Sequence, residues 1–513
     1  SPLHAAVRKG HDYCLEALLK AFPDLVNSTN MNGETPLYLA AIHSKLRAAK
    51  RLLQYQADPN IGRNSLETPL VAAVDNDHRE MALCLINGGA NVNKSLNRGW
   101  TALHEAVYRN HSQVLELLLA KGGTPNIRDG FGISPVFTSA ACGRNQCLEM
   151  LLRAGEYMIS MVIYDIYAPP LYEACKEGHL DCVITLLSNG ADPHLVNCDG
   201  LLPIHVASYR GCIEIVERLL PVTDRKMAQE CGMSPIHSAT KGDHIEILEM
   251  LIQHGYDVNV KLTHKRHCSF AVYNDSEEAT RMLLEAGAET ELDYVKPLLV
   301  AVSHSQYDMA DLLMTYGADV NASFNEEGGT FPATVAFGLR DYRCVVTMLK
   351  QILVSGCDVT KCLSCHMGDR RHSEFSETER KRSVSGINRY FCHYLTEPHN
   401  ITWCGDAVRY LLQFTGCVRL CSRVVEAVHA SEEWEDIQRL AGSPRSLLHL
   451  SRLKIRQQLG TRGVREKMTY ESLPLPRPLR HYLITHTLAR THTHACTHTR
   501  THTSTSIFTH YHP

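Results

Sequence analysis

No uninterrupted apolar run in this sequence approaches the roughly 20 residues needed to span a bilayer, and no charged-then-apolar leader opens it. Nothing therefore points to membrane insertion or export. Charge of one sign is not in excess either. The formal net charge is −3 over 513 residues, and Lys and Arg gather on no one face. That gives no argument for nucleic acid or for an anionic membrane as partner. A Gly-rich phosphate cradle, a nucleophile elbow and a zinc-protease helix are all absent. The chain is read as a non-enzyme with no catalytic residue, no cofactor and no metal.

Cysteine, by contrast, is plentiful. The 19 cysteines are scattered at helical positions such as Cys14, Cys84, Cys147, Cys182 and Cys212. Disulfide scaffolds are short secreted chains, so reduced thiols in an intracellular, cytoplasmic or nuclear protein is the better reading. The sequons at Asn27-Ser28-Thr29 and Asn400-Ile401-Thr402 are then idle. The opening Ser1-Pro2-Leu3-His4 already lies inside a repeat, and the native amino terminus is expected further upstream.

Single cores stop growing near ~250–300 residues, so this length implies several domains or a repeat array, whose units pack only on their neighbours. Self-similarity decides between them. A Pro-Leu-His-x-Ala fragment opens the chain and returns as Thr35-Pro36-Leu37-Tyr38, Thr68-Pro69-Leu70, Thr101-Ala102-Leu103-His104 and Ser134-Pro135. It continues as Pro170-Leu171-Tyr172, Leu202-Pro203-Ile204-His205 and Ser234-Pro235-Ile236-His237. Signature positions 2, 36, 69, 102, 135, 170, 203 and 235 lie 32 to 35 residues apart. Period and motif resemble the ankyrin repeat. Weaker copies at His267–Ala271, Pro297-Leu298-Leu299 and Thr330–Val335 bring the expected count to about eleven, over residues 1–360.

The residues of the repeat have physical reasons. Thr or Ser before Pro caps a helix whose first position needs no N–H. Ala pairs (Ala5-Ala6, Ala40-Ala41, Ala72-Ala73) allow close helix approach, and Gly10, Gly178, Gly211 and Gly242 are expected to end the first helices in the left-handed region. Leu-Leu pairs in the second helices (Leu118-Leu119, Leu151-Leu152, Leu186-Leu187, Leu283-Leu284, Leu312-Leu313) supply the stacking core. His4, His104, His205 and His237 each belong to a different repeat, so they form no convergent metal or catalytic set. Each is expected to hydrogen-bond the adjacent hairpin loop.

Cys362-Leu363-Ser364-Cys365-His366 matches the c-type haem attachment string. Haem attachment of that type occurs outside the cytosol, and no export signal accompanies it. An irregular charged linker over 361–385 is the expectation, with a structural zinc held by outlying Cys or His as the lesser alternative. Residues 386–440 read as a helical cap on the array, from the apolar spacing of Ala407-Val408, Tyr410-Leu411-Leu412 and Val424-Val425.

Then Ser446 caps an amphipathic helix carrying Leu447, Leu450, Ser451 and Ile455, followed downstream by Leu473-Pro474-Leu475-Pro476. These two elements resemble a SOCS box, placed here at 441–484. An all-α ankyrin array ending in such a box is similar to the long-array members of the ankyrin-repeat and SOCS-box family. The resemblance implies a substrate-recognition subunit of an elongin–cullin ubiquitin ligase. Leu447, with Leu450, Ser451 and Ile455, would meet elongin C of the elongin B–elongin C pair. Leu473, Pro474, Leu475 and Pro476 would select a cullin, usually the fifth, with its RING protein. The family more often has Cys where Ser451 stands, and the helix after the cullin element stops early. A non-catalytic ankyrin adaptor with a degenerate box is therefore the alternative.

Residues 485–513 fall into Thr-His alternation, a low-complexity tail that resembles a translated CA-dinucleotide repeat and is expected to be disordered. The target would bind the concave face of the array. Its candidate residues are Trp100, Tyr108, Arg109 and Phe131, with Tyr38, Arg63 and Tyr209 also expected on the free surface. Asn259 and Asn321 follow Leu251 and Asp257, and Leu313 and Asp319, at the spacing that asparaginyl hydroxylase favours in ankyrin proteins.

Overall fold

The computed structural model describes residues 1–155, 168–230, 233–260, 267–291, 296–322, 334–335, 342–363, 391–395, 404–415, 418–429 and 431–442. Regular structure among the described residues is entirely helical. The chain divides into two compact units, Ser1–Val295 and Lys296–Pro513.

The first unit holds nine helix pairs in the expected phase. First helices begin at Pro2, Pro36, Pro69, Ala102, Pro135, Pro170, Pro203, Pro235 and His267. Each is seven or eight residues long, too short to persist alone in water. Local chemistry sets their ends. The side chains of Thr35, Thr68 and Ser134 accept the N–H groups of Tyr38, Val71 and Phe137 at 3.1, 3.4 and 3.1 Å, and Pro occupies the following position in all three.

A single left-handed residue then reverses the chain into the second helix: Gly10, Ser44, Asp77, Asn110, Gly143, Gly178, Gly211, Asp243 and Asp275 in successive repeats. The expectation for Gly242 is thereby corrected. Gly242 is the last helical residue, and Asp243, with φ 58°, takes the left-handed position. Asp tolerates that region better than most side chains, so the turn survives without glycine there.

Second helices bury the first leucine of the pairs at 118, 151 and 186 and leave its neighbour half-buried, whereas both leucines are buried in Leu283-Leu284 and Leu312-Leu313. Leu118, Leu151, Leu186 and Leu283 are all fully buried, each contributing on the order of 1.5–3 kcal/mol. Ala40, Ala41, Ala72 and Ala73 are buried between neighbouring first helices, whereas Ala5 is exposed. The apolar core runs in two contiguous clusters that hand over within the Asn145–Ala154 helix.

In the second unit, Pro297–Ser303 pairs with Tyr307–Thr315, with Ser305 in the left-handed turn. Tyr342–Val354 follows as a longer helix, then Thr360–Leu363, Phe391–Leu395, Cys404–Leu412, Ser422–Val428 and Trp434–Gly442. The last four pack on one another through Phe391, Leu395, Val408, Leu411, Val424, Val428 and Ile437, all buried. No helix among the described residues is long and apolar enough to cross a membrane.

Candidate functional site

The signature histidines are buried. His104 Nδ1 accepts the N–H of Thr101 at 3.2 Å, so its Nε2 carries the proton and donates to the carbonyl of Ile133, 3.0 Å away in the next hairpin. His205 repeats the arrangement, accepting from Leu202 N–H at 3.0 Å and donating to Ala228 O at 2.9 Å. His4 donates to Glu34 O at 2.9 Å. Burial lowers the pKa of all three, that of His205 to about 4. His237 is buried too, its ring edge-on to Phe270 at 6.3 Å. With their pKa lowered by burial, His4, His104 and His205 are neutral, structural groups. No cluster of three or more His, Cys, Asp or Glu that could hold a metal occurs among the described residues.

A second set of histidines escaped the sequence reading. His111, His179 and His244 each stand just after the left-handed residue, and each bonds a carbonyl of the preceding repeat: Val74 at 2.8 Å, Ala141 at 3.2 Å and Tyr209 at 3.0 Å. Their common offset from the first helical position of the repeat (Ala102, Pro170 and Pro235) was the available signal.

Asparagines form a third ladder between the loops. Asn27 Oδ1 accepts Asp58 N–H at 2.9 Å, Asn60 accepts Asn91 N–H at 2.8 Å, and Asn93 accepts Thr124 N–H at 2.8 Å. Asn60 and Asn93 also donate to Gly89 O and Gly122 O, both at 3.0 Å. Asn259 makes the same pair of bonds to Glu289 and Gly287, and in the second unit Asn321 accepts Asp358 N–H at 2.7 Å. Asn60 follows Leu52 and Asp58 at the spacing noted for Asn259 and Asn321, and it too was overlooked.

The aromatic and arginine candidates fall into two groups. Trp100 is half-buried: it stacks on His104 at 4.8 Å, and its indole N–H donates to Glu105 at 2.8 Å. Arg109 is clamped by Asp75 at 2.7 Å and Glu105 at 3.0 Å, while its guanidinium lies 5.9 Å from the Tyr108 ring centroid. Tyr108 and Phe131 are instead open to solvent, 51% and 42% exposed. Tyr209 is exposed beneath Lys241. Tyr38 does not belong to this surface. It is fully buried, with its phenol pKa pushed up by burial, under an Arg63 that is paired with Glu67.

Cys362, the first residue of the haem-like string, is buried, and burial drives its thiol well above the ordinary cysteine range. Cys365 and His366 lie outside the described residues, as do Leu447, Leu450, Ser451, Ile455, Leu473, Pro474, Leu475 and Pro476.

Family models speak to that region and to the array. An ankyrin-repeat model matches in three copies at residues 1–63, 62–129 and 171–261, and a SOCS-box model matches residues 443–484. Ankyrin repeat and SOCS box protein 14 of Mus musculus is 34% identical over 295 residues, which is 56% of this chain and 49% of that protein.

The chain belongs to the ankyrin repeat and SOCS box family.

A second member of the family, ankyrin repeat and SOCS box protein 2 of Rattus norvegicus, is 36% identical over 280 residues, 52% of this chain and 43% of that one. The match thus spans about half the length of either relative. A Bos taurus protein named dynein axonemal heavy chain 12 is 35% identical over 324 residues, 61% of this chain and 90% of that protein. Among solved structures, the ankyrin repeat domain of Bcl-3 matches at 27% identity and a TM-score of 0.39, covering 42% of this chain and 98% of that one. The ankyrin repeat and SOCS box assignment rests on the repeats themselves and on the box that follows them.

Proposed function

We propose that this chain is the substrate-recognition subunit of an elongin–cullin ubiquitin ligase. The observation that carries the reading is the SOCS-box match at 443–484, placed after an array of stacked repeats. Leu447, Leu450, Ser451 and Ile455 would meet elongin C, and Leu473 to Pro476 would meet the cullin. The chain supplies specificity by proximity, raising the target's effective concentration beside the charged ubiquitin-carrying enzyme.

For the target, Tyr108 and Phe131 are the contact residues. Trp100 and Arg109, fixed by His104, Glu105 and Asp75, flank the Tyr108 ring, and Arg98 lies over that of Phe131. Asn259 and Asn321 are proposed hydroxylation substrates, and Asn60 shares both their spacing and their place in the loop ladder. Intact peptide masses after coexpression with the hydroxylase test that assignment.

The test of the ligase reading is affinity isolation under proteasome inhibition, comparing the intact chain with one truncated before Ser446. A Leu447→Pro, Ser451→Phe double variant sharpens it. Proline inside a helix costs ~3 kcal/mol or more, and Phe overfills a site for a small residue. Elongin recovery that is unchanged in the double variant sinks the reading.

A further inference from the structure

Hairpins 3 and 4, residues 88–101 and 121–134, differ in charge from the other loops. Where hairpin 2 has Asp58, and later loops have Asp192, Asp224, Asp257, Glu289, Asp319 and Asp358, hairpins 3 and 4 have Asn91 and Thr124. Hairpin 3 carries Lys94 and Arg98 with no acid, and hairpin 4 carries Lys121 and Arg128 against Asp129 alone. One Asp129 oxygen is already engaged by the N–H groups of Phe131 and Ile133, at 2.9 and 2.8 Å.

The two tips are locked backbone to backbone. Gly130 N–H donates to the carbonyl of Arg98. A Cβ on Gly99 would come within 2.7 Å of Gly130 N, and one on Gly130 within 2.9 Å of Arg98 O. Arg98 itself is held at φ 63°, a conformation costly for a side chain of its kind. That backbone sets its guanidinium 5.4 Å from the centroid of the exposed Phe131 ring. Arg98 and Arg128 are both exposed, and neither has a carboxylate partner among the described residues, unlike Arg63 in hairpin 2, which Glu67 neutralises. Backbone strain retained at an exposed, unneutralised arginine stacked on an aromatic ring is the pattern of a recognition site.

We propose that the tips of hairpins 3 and 4 receive an acidic segment of the target protein. Its carboxylates pair with Arg98 and Arg128, and a neighbouring apolar side chain lies on Phe131. Charge complementarity selects this occupant, since a planar guanidinium pre-set on a ring forks onto a carboxylate. The proposal rests on the substrate-receptor reading and names the chemistry of what is received.

The test is selection from a displayed random-peptide library by the full-length chain purified with elongins B and C, then binding of the recovered peptides to variants. The expected result is enrichment of Asp and Glu beside aromatic or aliphatic residues. Binding should weaken about tenfold or more in Arg98→Glu and Arg128→Glu, and should weaken with added salt. Repeating the selection on the double variant should recover basic peptides. Absence of enrichment, enrichment of neutral or basic peptides, indifference to both reversals, or equal competition by a DNA oligonucleotide overturns the proposal. Elongin recovery is read in the same preparations, so failure of the ligase reading shows separately.

Discussion

Asn259 closes two bonds on the loop that follows it: its Oδ1 accepts the N–H of Glu289 at 2.9 Å, and its Nδ2 donates to Gly287 O at 2.9 Å. The carboxamide thus satisfies one donor and one acceptor of a loop about thirty residues away, and it helps to set how the two repeats stack.

Removing that bridge should loosen one junction and leave the rest alone, because repeat arrays are stabilised by nearest-neighbour terms. Asn259→Ala is expected to cost roughly 1–3 kcal/mol for two lost bonds, seen as faster amide exchange in the loops around 257 and 289. Asn259→Asp keeps the acceptor but sets a carboxylate oxygen against the Gly287 carbonyl, so it should be no milder. Uniform exchange changes across the first unit would contradict a local bridge.

Acid should weaken the array through its buried histidines. The folded His205 resists protonation until about 4, against 6.5 for the unfolded ring. Between those values the unfolded state binds more protons, so stability is full above the unfolded value and falls as pH drops toward 4. His205 contributes up to about 3 kcal/mol of that loss, and His104 and His4, lowered by the same burial, add to it. Thermal midpoints across this range should decline, and His205→Asn should flatten the curve.

The left-handed turn predicts opposite signs at two equivalent positions. Ser305 holds φ 57° with an ordinary side chain, so Ser305→Gly should stabilise its repeat by about 1 kcal/mol. Gly211 holds φ 80°, and a Cβ there would meet His244 Cε1 at 2.5 Å, so Gly211→Ala should destabilise by more than that. Urea midpoints moving in the same direction for both variants would refute the pairing.

The two elements of the box should separate genetically. Leu473→Ala with Pro474→Ala is expected to keep elongin B and elongin C but to lose the cullin and ubiquitination of the target, measured by co-purification and an in vitro ubiquitination assay. Simultaneous loss of all partners would show that the box does not divide this way.

The sequence alone determined the repeat, its period and the starts of its first helices. Capping, proline at the first helical position and the Leu-Leu stripe are chemistry acting within a few residues. The motif carried the family in the same way, since the SOCS-box match falls on the Leu447 and Leu473 elements. What only the tertiary structure decided are contacts between groups about thirty residues apart. Tyr38 is as aromatic as Tyr108, yet stacking buries the first and leaves the second in solvent. Arg109 looked free in sequence, but Asp75, one repeat earlier, holds it. The carbonyls taken by His111, His179 and His244 likewise lie in the preceding repeat. Such pairings follow from the register in which one repeat lies on the next, and side-chain identity within a single repeat does not contain that register.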